Sequence, residues 1–124
     1  MSEWTPEDLA TFGRATEIGV TSRRPDGSLR PYVTIWAVRV GNDLYIRSAH
    51  GPDNGWYRRA TASGTGRIRA GAIERDVSFV EADAGVAGEV SDAYRAKYDR
   101  YGPAIVGTVV SPTAEQLTLR LTPR

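Results

Sequence analysis

Arg30-Pro31-Tyr32-Val33-Thr34-Ile35-Trp36-Ala37-Val38-Arg39-Val40 is the longest strand-like stretch of the chain, and its reading decides the fold. Side chains alternate across a strand, and here both faces, Tyr32/Thr34/Trp36/Val38 and Val33/Ile35/Ala37, are mostly apolar. A strand covered on both sides belongs in the middle of a sheet or the wall of a barrel. Upstream, the turn Pro25-Asp26-Gly27-Ser28 separates it from a strand over 17–23. Downstream, Gly41-Asn42-Asp43 closes a hairpin into a strand over 44–48. Residues 66–71 and 76–82 read as a further strand pair. Residues 116–121 alternate cleanly, with Leu117, Leu119 and Leu121 inward and Gln116, Thr118 and Arg120 outward.

Three short helices complete the pattern. Thr5 caps one that runs to about Arg14, with Pro6, Glu7 and Asp8 in its first turn. Asn54 caps a second over 55–62. Ser91 caps a third through Tyr101, stopped by Gly102-Pro103, with Tyr94, Tyr98 and Tyr101 on one face. About six strands without long crossovers point to an antiparallel α+β or barrel fold, and 124 residues suffice for a single domain over 1–124.

Composition removes whole classes of chemistry. With no cysteine there is no disulfide, thiol nucleophile or thiolate metal site, and one histidine, His50, argues against a multi-histidine metal centre or a triad within one subunit. No apolar run is long enough for a membrane helix, and Met1-Ser2-Glu3-Trp4-Thr5-Pro6-Glu7-Asp8 lacks the features of a secretory leader, so a cytoplasmic, metal-free protein is expected. There is no Walker loop, nucleophile elbow or His-Glu-x-x-His motif, and Gly64-Thr65-Gly66 reads as a turn. Glu74, Asp76, Glu81 and Asp83 alternate with apolar residues and read as a solvated strand face.

Charge is segmented although the total is only +1. Residues 47–75 hold six arginines against Asp53 and Glu74, whereas 76–99 hold six acids against Arg95 and Lys97. The acidic neighbour and the low net charge argue against a nucleic-acid ligand. A strand ending in Arg47-Ser48 leads into a helix that opens at Asn54-Gly55-Trp56 and carries Arg58 and Arg59. Free amides at a helix start attract anions, so Arg47 with Arg58 or Arg59 makes a candidate phosphate site. Arg67 and Arg69 share a face of the next strand and are candidates to line the same cavity, unless they pair with the acidic segment.

The element order resembles the flavin-binding split barrels of the pyridoxamine-phosphate-oxidase-like superfamily. The likeness rests on Arg30-Pro31-Tyr32-Val33, the hairpin strand 44–48, and Trp56-Tyr57-Arg58-Arg59. More closely, the chain resembles the family called domain of unknown function 2255. That likeness rests on Arg47-Ser48, Gly55-Trp56-Tyr57-Arg58, Gly66-Arg67-Ile68-Arg69-Ala70-Gly71, Ala93-Tyr94-Arg95-Ala96-Lys97-Tyr98 and Thr118-Leu119-Arg120-Leu121-Thr122-Pro123-Arg124. The resemblance implies a six-stranded antiparallel split β-barrel with peripheral helices, forming a homodimer and binding FMN, the deazaflavin F-420 or, less often, haem. It further implies that Arg47, Ser48, Arg58 and Arg59 hold the cofactor phosphate, that Thr34 and Trp36 lie along the ring, and that Trp56 walls the pocket. The implied function is an oxidoreductase transferring hydride from the cofactor to a small organic substrate, with His50 as a speculative proton donor. The alternative is a non-catalytic split barrel that binds a cofactor or a small anion. Arg59 stands where similar deazaflavin enzymes commonly have asparagine.

Overall fold

The computed structural model describes residues 3–124; Met1 and Ser2, the first two residues of the stretch read for a leader, lie outside them. The strands are β1 (Ile18–Ser22), β2 (Val33–Ile35), β3 (Ala37–Val40), β4 (Asp43–Arg47), β5 (Thr65–Ala70), β6 (Ile73–Glu81) and β7 (Thr118–Pro123). They form one sheet in the order β2-β1-β5-β6-β7-β4-β3, with every pair antiparallel. The two outermost strands, β2 and β3, are separated in sequence by Trp36 alone. A sheet whose opposite edges are joined by one residue must curl until those edges meet, so it is a nearly closed barrel.

The stretch 30–40 is therefore not one strand, and the sheet has seven strands rather than six. β2 pairs with β1, matching Thr34 to Gly19, while β3 pairs with β4, matching Val38 to Tyr45. One straight strand cannot serve both partners, so the chain changes ladders at Trp36. Burial on both faces holds for β3, where Ala37 and Val38 are both buried, but not for β2, whose Thr34 is exposed.

Two apolar clusters explain the difference. The barrel interior packs Ile18, Val20, Ala37, Leu44, Ile46, Ile68, Val77, Leu119 and Leu121 against Leu9 and Phe12 of α1 (Pro6–Arg14). The Trp4 indole N–H donates to the Leu121 carbonyl at 2.9 Å. Outside the barrel, Val38 and Tyr45 meet Val90, Tyr94 and Tyr98 of α3 (Ala87–Tyr98), with Val106 and Val109 of α4 (Pro103–Val110). The remaining helices are α2 (Gly55–Ser63) and α5 (Pro112–Gln116).

Local chemistry accounts for the helix ends. Thr5 Oγ1 accepts from the Asp8 amide at 3.1 Å, as its capping role requires. Asn54 occupies the cap position of α2 without a side-chain cap bond. Ser91 does not begin α3; it lies one turn inside, and its hydroxyl is drawn inward by a buried arginine described below. α3 ends at Tyr98 rather than Tyr101, a single 3-10 turn over Asp99–Tyr101 follows, and Gly102-Pro103 starts α4, because proline suits a first helical turn. The 82–117 connection between the adjacent antiparallel strands β6 and β7 thus carries three helices, a long excursion that the strand pattern concealed. None of the helices among the described residues is long and apolar enough to cross a membrane.

Gly66 on β5 is fixed by close approach. A Cβ there would run into the Thr21 carbonyl of β1 and stand 2.9 Å from the Phe79 ring. Gly66→Ala is expected to lower stability by roughly 3 kcal/mol, read as a shifted denaturant midpoint, because the obstacle is ladder backbone that cannot swing aside. A midpoint unchanged from the parent would show that β1 and β5 do not approach this closely.

Candidate functional site

Arg47, at the end of β4, is 3% exposed and wholly engaged in holding other elements. Its Nε donates to Thr118 Oγ1 of β7 at 2.8 Å. Its Nη1 donates to Ser91 Oγ of α3 at 2.7 Å and to the Val109 carbonyl of α4 at 2.8 Å, and its Nη2 to the Ala87 carbonyl at 2.9 Å. Burial pushes the guanidinium below its ordinary pKa, yet an arginine stays charged in proteins. Among the described residues no carboxylate forms an ion pair with it. Part of the compensation comes from the C-terminal turn of α4, whose free carbonyls and dipole favour a cation. Four of its five N–H donors are thus spent on protein, which disagrees with the expected phosphate contact. Ser48 is also turned inward, donating to the Gly51 carbonyl at 2.6 Å. The same knot buries Thr118, which alternation alone placed on the outer face.

Beside this knot lies a pocket of about 360 Å³, walled by Trp36, Thr34, Val33 and Ile35 on one side, Trp56 and Asn54 of the α2 start on another, and Ile105, Thr108 and Val109 of α4 on a third. Arg47, Ala49, Glu17 and His50 complete the lining. Its Trp36 wall is rigid. The indole stacks on Tyr98 with centroids 3.9 Å apart and planes 3° from parallel. The Trp36 carbonyl, at the break between β2 and β3, accepts from the Tyr94 hydroxyl at 3.3 Å. The next carbonyl, of Ala37, accepts from Lys97 Nζ at 2.6 Å and the Tyr98 hydroxyl at 3.2 Å. Tyr94, Lys97 and Tyr98 therefore form a patch at three- and four-residue spacing that secures the break. Helical spacing identified the tyrosine face but not what it holds.

On the far side of the α2 start is a larger cleft of about 860 Å³. Arg58 and Arg59 line it, together with Arg23, Arg24 and Arg30 from the β1–β2 connection. These last three carried no site assignment from sequence. A Cβ at Gly55 would stand 2.8 Å from Arg59 Nη1, so the guanidinium lies over the first turn of α2. Arg67 and Arg69 line neither cavity. Arg67 Nε bonds Asp76 at 2.9 Å, and Arg69 sits 4.1 Å over the Tyr32 ring, whose hydroxyl donates to Glu74 at 2.9 Å. The pairing with the acidic segment thus holds for Arg67. Among the described residues no group of three or more His, Asp or Glu gathers as a metal site.

The family described as an uncharacterized protein conserved in bacteria (DUF2255) matches residues 8–121. The chain belongs to this family. Its fold is a nearly closed split barrel, shared with the solved structures that follow. A solved F420-H2 dependent reductase (FDR-A) is similar at 17% identity and a TM-score of 0.62, covering 86% of this chain and 93% of that one. The heme storage protein HutZ from Vibrio cholerae is similar at 14% identity and a TM-score of 0.67, covering 98% and 91%. A FAD-binding protein from Mesorhizobium loti is similar at 15% identity and a TM-score of 0.56, covering 98% and 91%. These likenesses share the fold. No curated protein matches the sequence.

Two predictions follow from the pocket's supports. Arg47→Met removes the donor shared by the Ser91 hydroxyl and the Val109 and Ala87 carbonyls and leaves the Thr118 hydroxyl only its bond to the Glu115 carbonyl, and should cost about 3 kcal/mol or more in denaturant unfolding. Arg47→Lys, keeping charge but not the fork, should recover little of it; a stable Arg47→Met protein would refute the knot.

Lys97 makes stability depend on pH. Burial, with repulsion from Arg100, pushes its ammonium down to about 8 from the ordinary 10.5. The unfolded chain keeps that proton to higher pH, so it binds more protons than the folded state between these values and stability rises with pH there. Above about pH 10 the trend reverses. Burial holds the Tyr94 and Tyr98 hydroxyls well above their ordinary range, so the unfolded state loses those protons first. Denaturation between pH 8 and about 10 should show the rise in the parent and a flat profile in Lys97→Met; equal slopes would refute it.

Proposed function

We propose that this chain binds a flavin or deazaflavin cofactor, FMN or F-420, and serves as an oxidoreductase that passes hydride from it to a small organic substrate. The observation that carries this reading is the position of the α2 start. Asn54 and Trp56 face the aromatic pocket, while Gly55, Arg58 and Arg59 face the arginine cleft. A ligand with a flat ring and an anionic group can bridge the two. Trp36, Thr34 and Trp56 would receive the ring, and the pocket's volume lies in the range of small-molecule sites. The phosphate would meet Arg58, Arg59 and the α2 amides that Asn54 leaves uncapped. Arg47 and Ser48 support the pocket from behind.

When bound, such a cofactor supplies the hydride itself. The protein's share is to fix the ring against the Trp36–Tyr98 stack and to exclude water with the side chains of α4. His50 and Glu17 are the uncommitted titratable side chains of the pocket lining, and exposed His50 is the candidate to give a proton to a reduced substrate. Beside the pocket, Ile105 is 51% exposed and Tyr101 38%, an apolar rim that a second copy of the chain in a homodimer would cover.

Titration of the apo protein with FMN and with F-420, followed by fluorescence, tests the reading. At least one should bind with Kd below about 100 μM, and Trp36→Ala should weaken it about tenfold. If neither binds at that level, the reading fails. A bound, reduced cofactor that no acceptor reoxidises would favour storage over turnover. Light scattering on the same samples should give a dimer; a strict monomer at high micromolar concentration would remove the second copy.

A further inference from the structure

The arginine cleft is more basic than a single phosphate requires. Five guanidiniums line it, those of Arg23, Arg24, Arg30, Arg58 and Arg59, and no acidic side chain does. Its other polar lining comes from Thr61, Ser63 and Thr65. The wall opposite α2 is built rather than loose. Arg24 Nη1 donates to the Leu29 carbonyl at 2.9 Å and to Ser28 Oγ at 3.3 Å, across the turn opened by Gly27 at φ +89°. Arg23 donates to the Gly27 carbonyl at 2.8 Å and to Asp76 at 3.2 Å. That carboxylate is shared with Arg67, so one acid serves two cations and leaves positive charge uncompensated.

Arg30 supplies an independent sign. Its Nε is buried without a hydrogen-bond partner, the one such side-chain atom among the described residues. A buried charged donor left unpaired is costly, and the residue that carries it lines both the cleft and a small recess that Arg59 also lines. Among the described residues, Arg24, Arg30, Arg58 and Arg59 form no ion pair. Like charges gathered this way repel unless an anion joins them.

We propose that this cleft is a binding site for a small oligoanion, a ligand carrying two or more phosphate or carboxylate groups, gripped between the β1–β2 turn and α2. One phosphate dianion at Arg58 and Arg59 leaves Arg24 and Arg30 of the turn without an anion, and Arg23 with only a shared carboxylate; a second anionic group answers them. The site extends the cofactor reading by the turn arginines and holds whether or not the neighbouring pocket takes a ring. Single-stranded nucleic acid fits poorly, because the cleft has no aromatic side chain on which a base could stack.

Calorimetry of the apo protein with orthophosphate, tripolyphosphate and citrate at about 150 mM salt tests this without any ring-bearing ligand, so its result is independent of the flavin titration. Tripolyphosphate or citrate should bind at least about tenfold more tightly than orthophosphate. Preference for the first assigns a phosphate chain, and preference for the second a set of carboxylates. Arg24→Ala should weaken that binding several-fold and Arg24→Glu by about tenfold or more, with thermal unfolding confirming that this exposed turn variant is folded. Equal affinity for all three anions, indifference to Arg24→Glu, or equally tight binding of an oligothymidine would overturn the assignment.

Discussion

Joining opposite edges of one sheet through the single residue Trp36 is the constraint from which the rest of this structure follows. It forces the sheet to curl, and it leaves backbone carbonyls at the break that strand pairing does not fully cover. The Trp36 carbonyl goes to Tyr94, and that of Ala37 to Lys97 and Tyr98, all on α3. Tyr98 also stacks on the Trp36 indole, and Tyr94 packs against Tyr98 in turn. Closure of the barrel, docking of α3 and orientation of the pocket's aromatic wall are therefore one event.

Arg47 does for the other wall what the tyrosines do for Trp36. A buried cation without a carboxylate is a demanding solution, since its desolvation must be offset by fixed dipoles. Here a serine and a threonine hydroxyl and two helix carbonyls supply them, drawn from β7, α3 and α4. α4 is held by its own carbonyl end, so Ile105, Thr108 and Val109 stand over the pocket. The arginines nearby divide into structural and available groups: Arg47, Arg67 and Arg75 are bonded within the fold, whereas Arg58 and Arg59 face open space.

The placement of α2 gives the molecule its functional shape. Its first turn divides an aromatic pocket from a cationic cleft, and Trp56 and Arg59, three residues apart, serve the two sides. The Arg59 guanidinium folds back over Gly55, where a side chain would displace it. The chain thus places an aromatic wall and a cationic cleft on the two sides of one short stretch.

Much of this was legible in the sequence. The cap at Thr5 and the turns at Gly27 and Gly41 are local chemistry, and the alternation of Leu119 and Leu121 sets β7 facing inward. The motifs around Arg47, Trp56 and Tyr94 carry the resemblance to the family that matches residues 8–121. Trp36, Thr34 and Trp56 do meet at one pocket, and Arg58 and Arg59 do face one cleft. Only the tertiary structure could divide the strand over 30–40, since the division reflects two different partners rather than any local preference. It alone could turn Arg47 from a ligand-facing residue into a buried tie and pair Arg67 with Asp76, because a sequence shows a side chain's chemistry but not which distant groups satisfy it. It alone brought Arg23, Arg24 and Arg30 across from Arg58 and Arg59. These residues are far apart in the chain, and the folding of the barrel makes them neighbours.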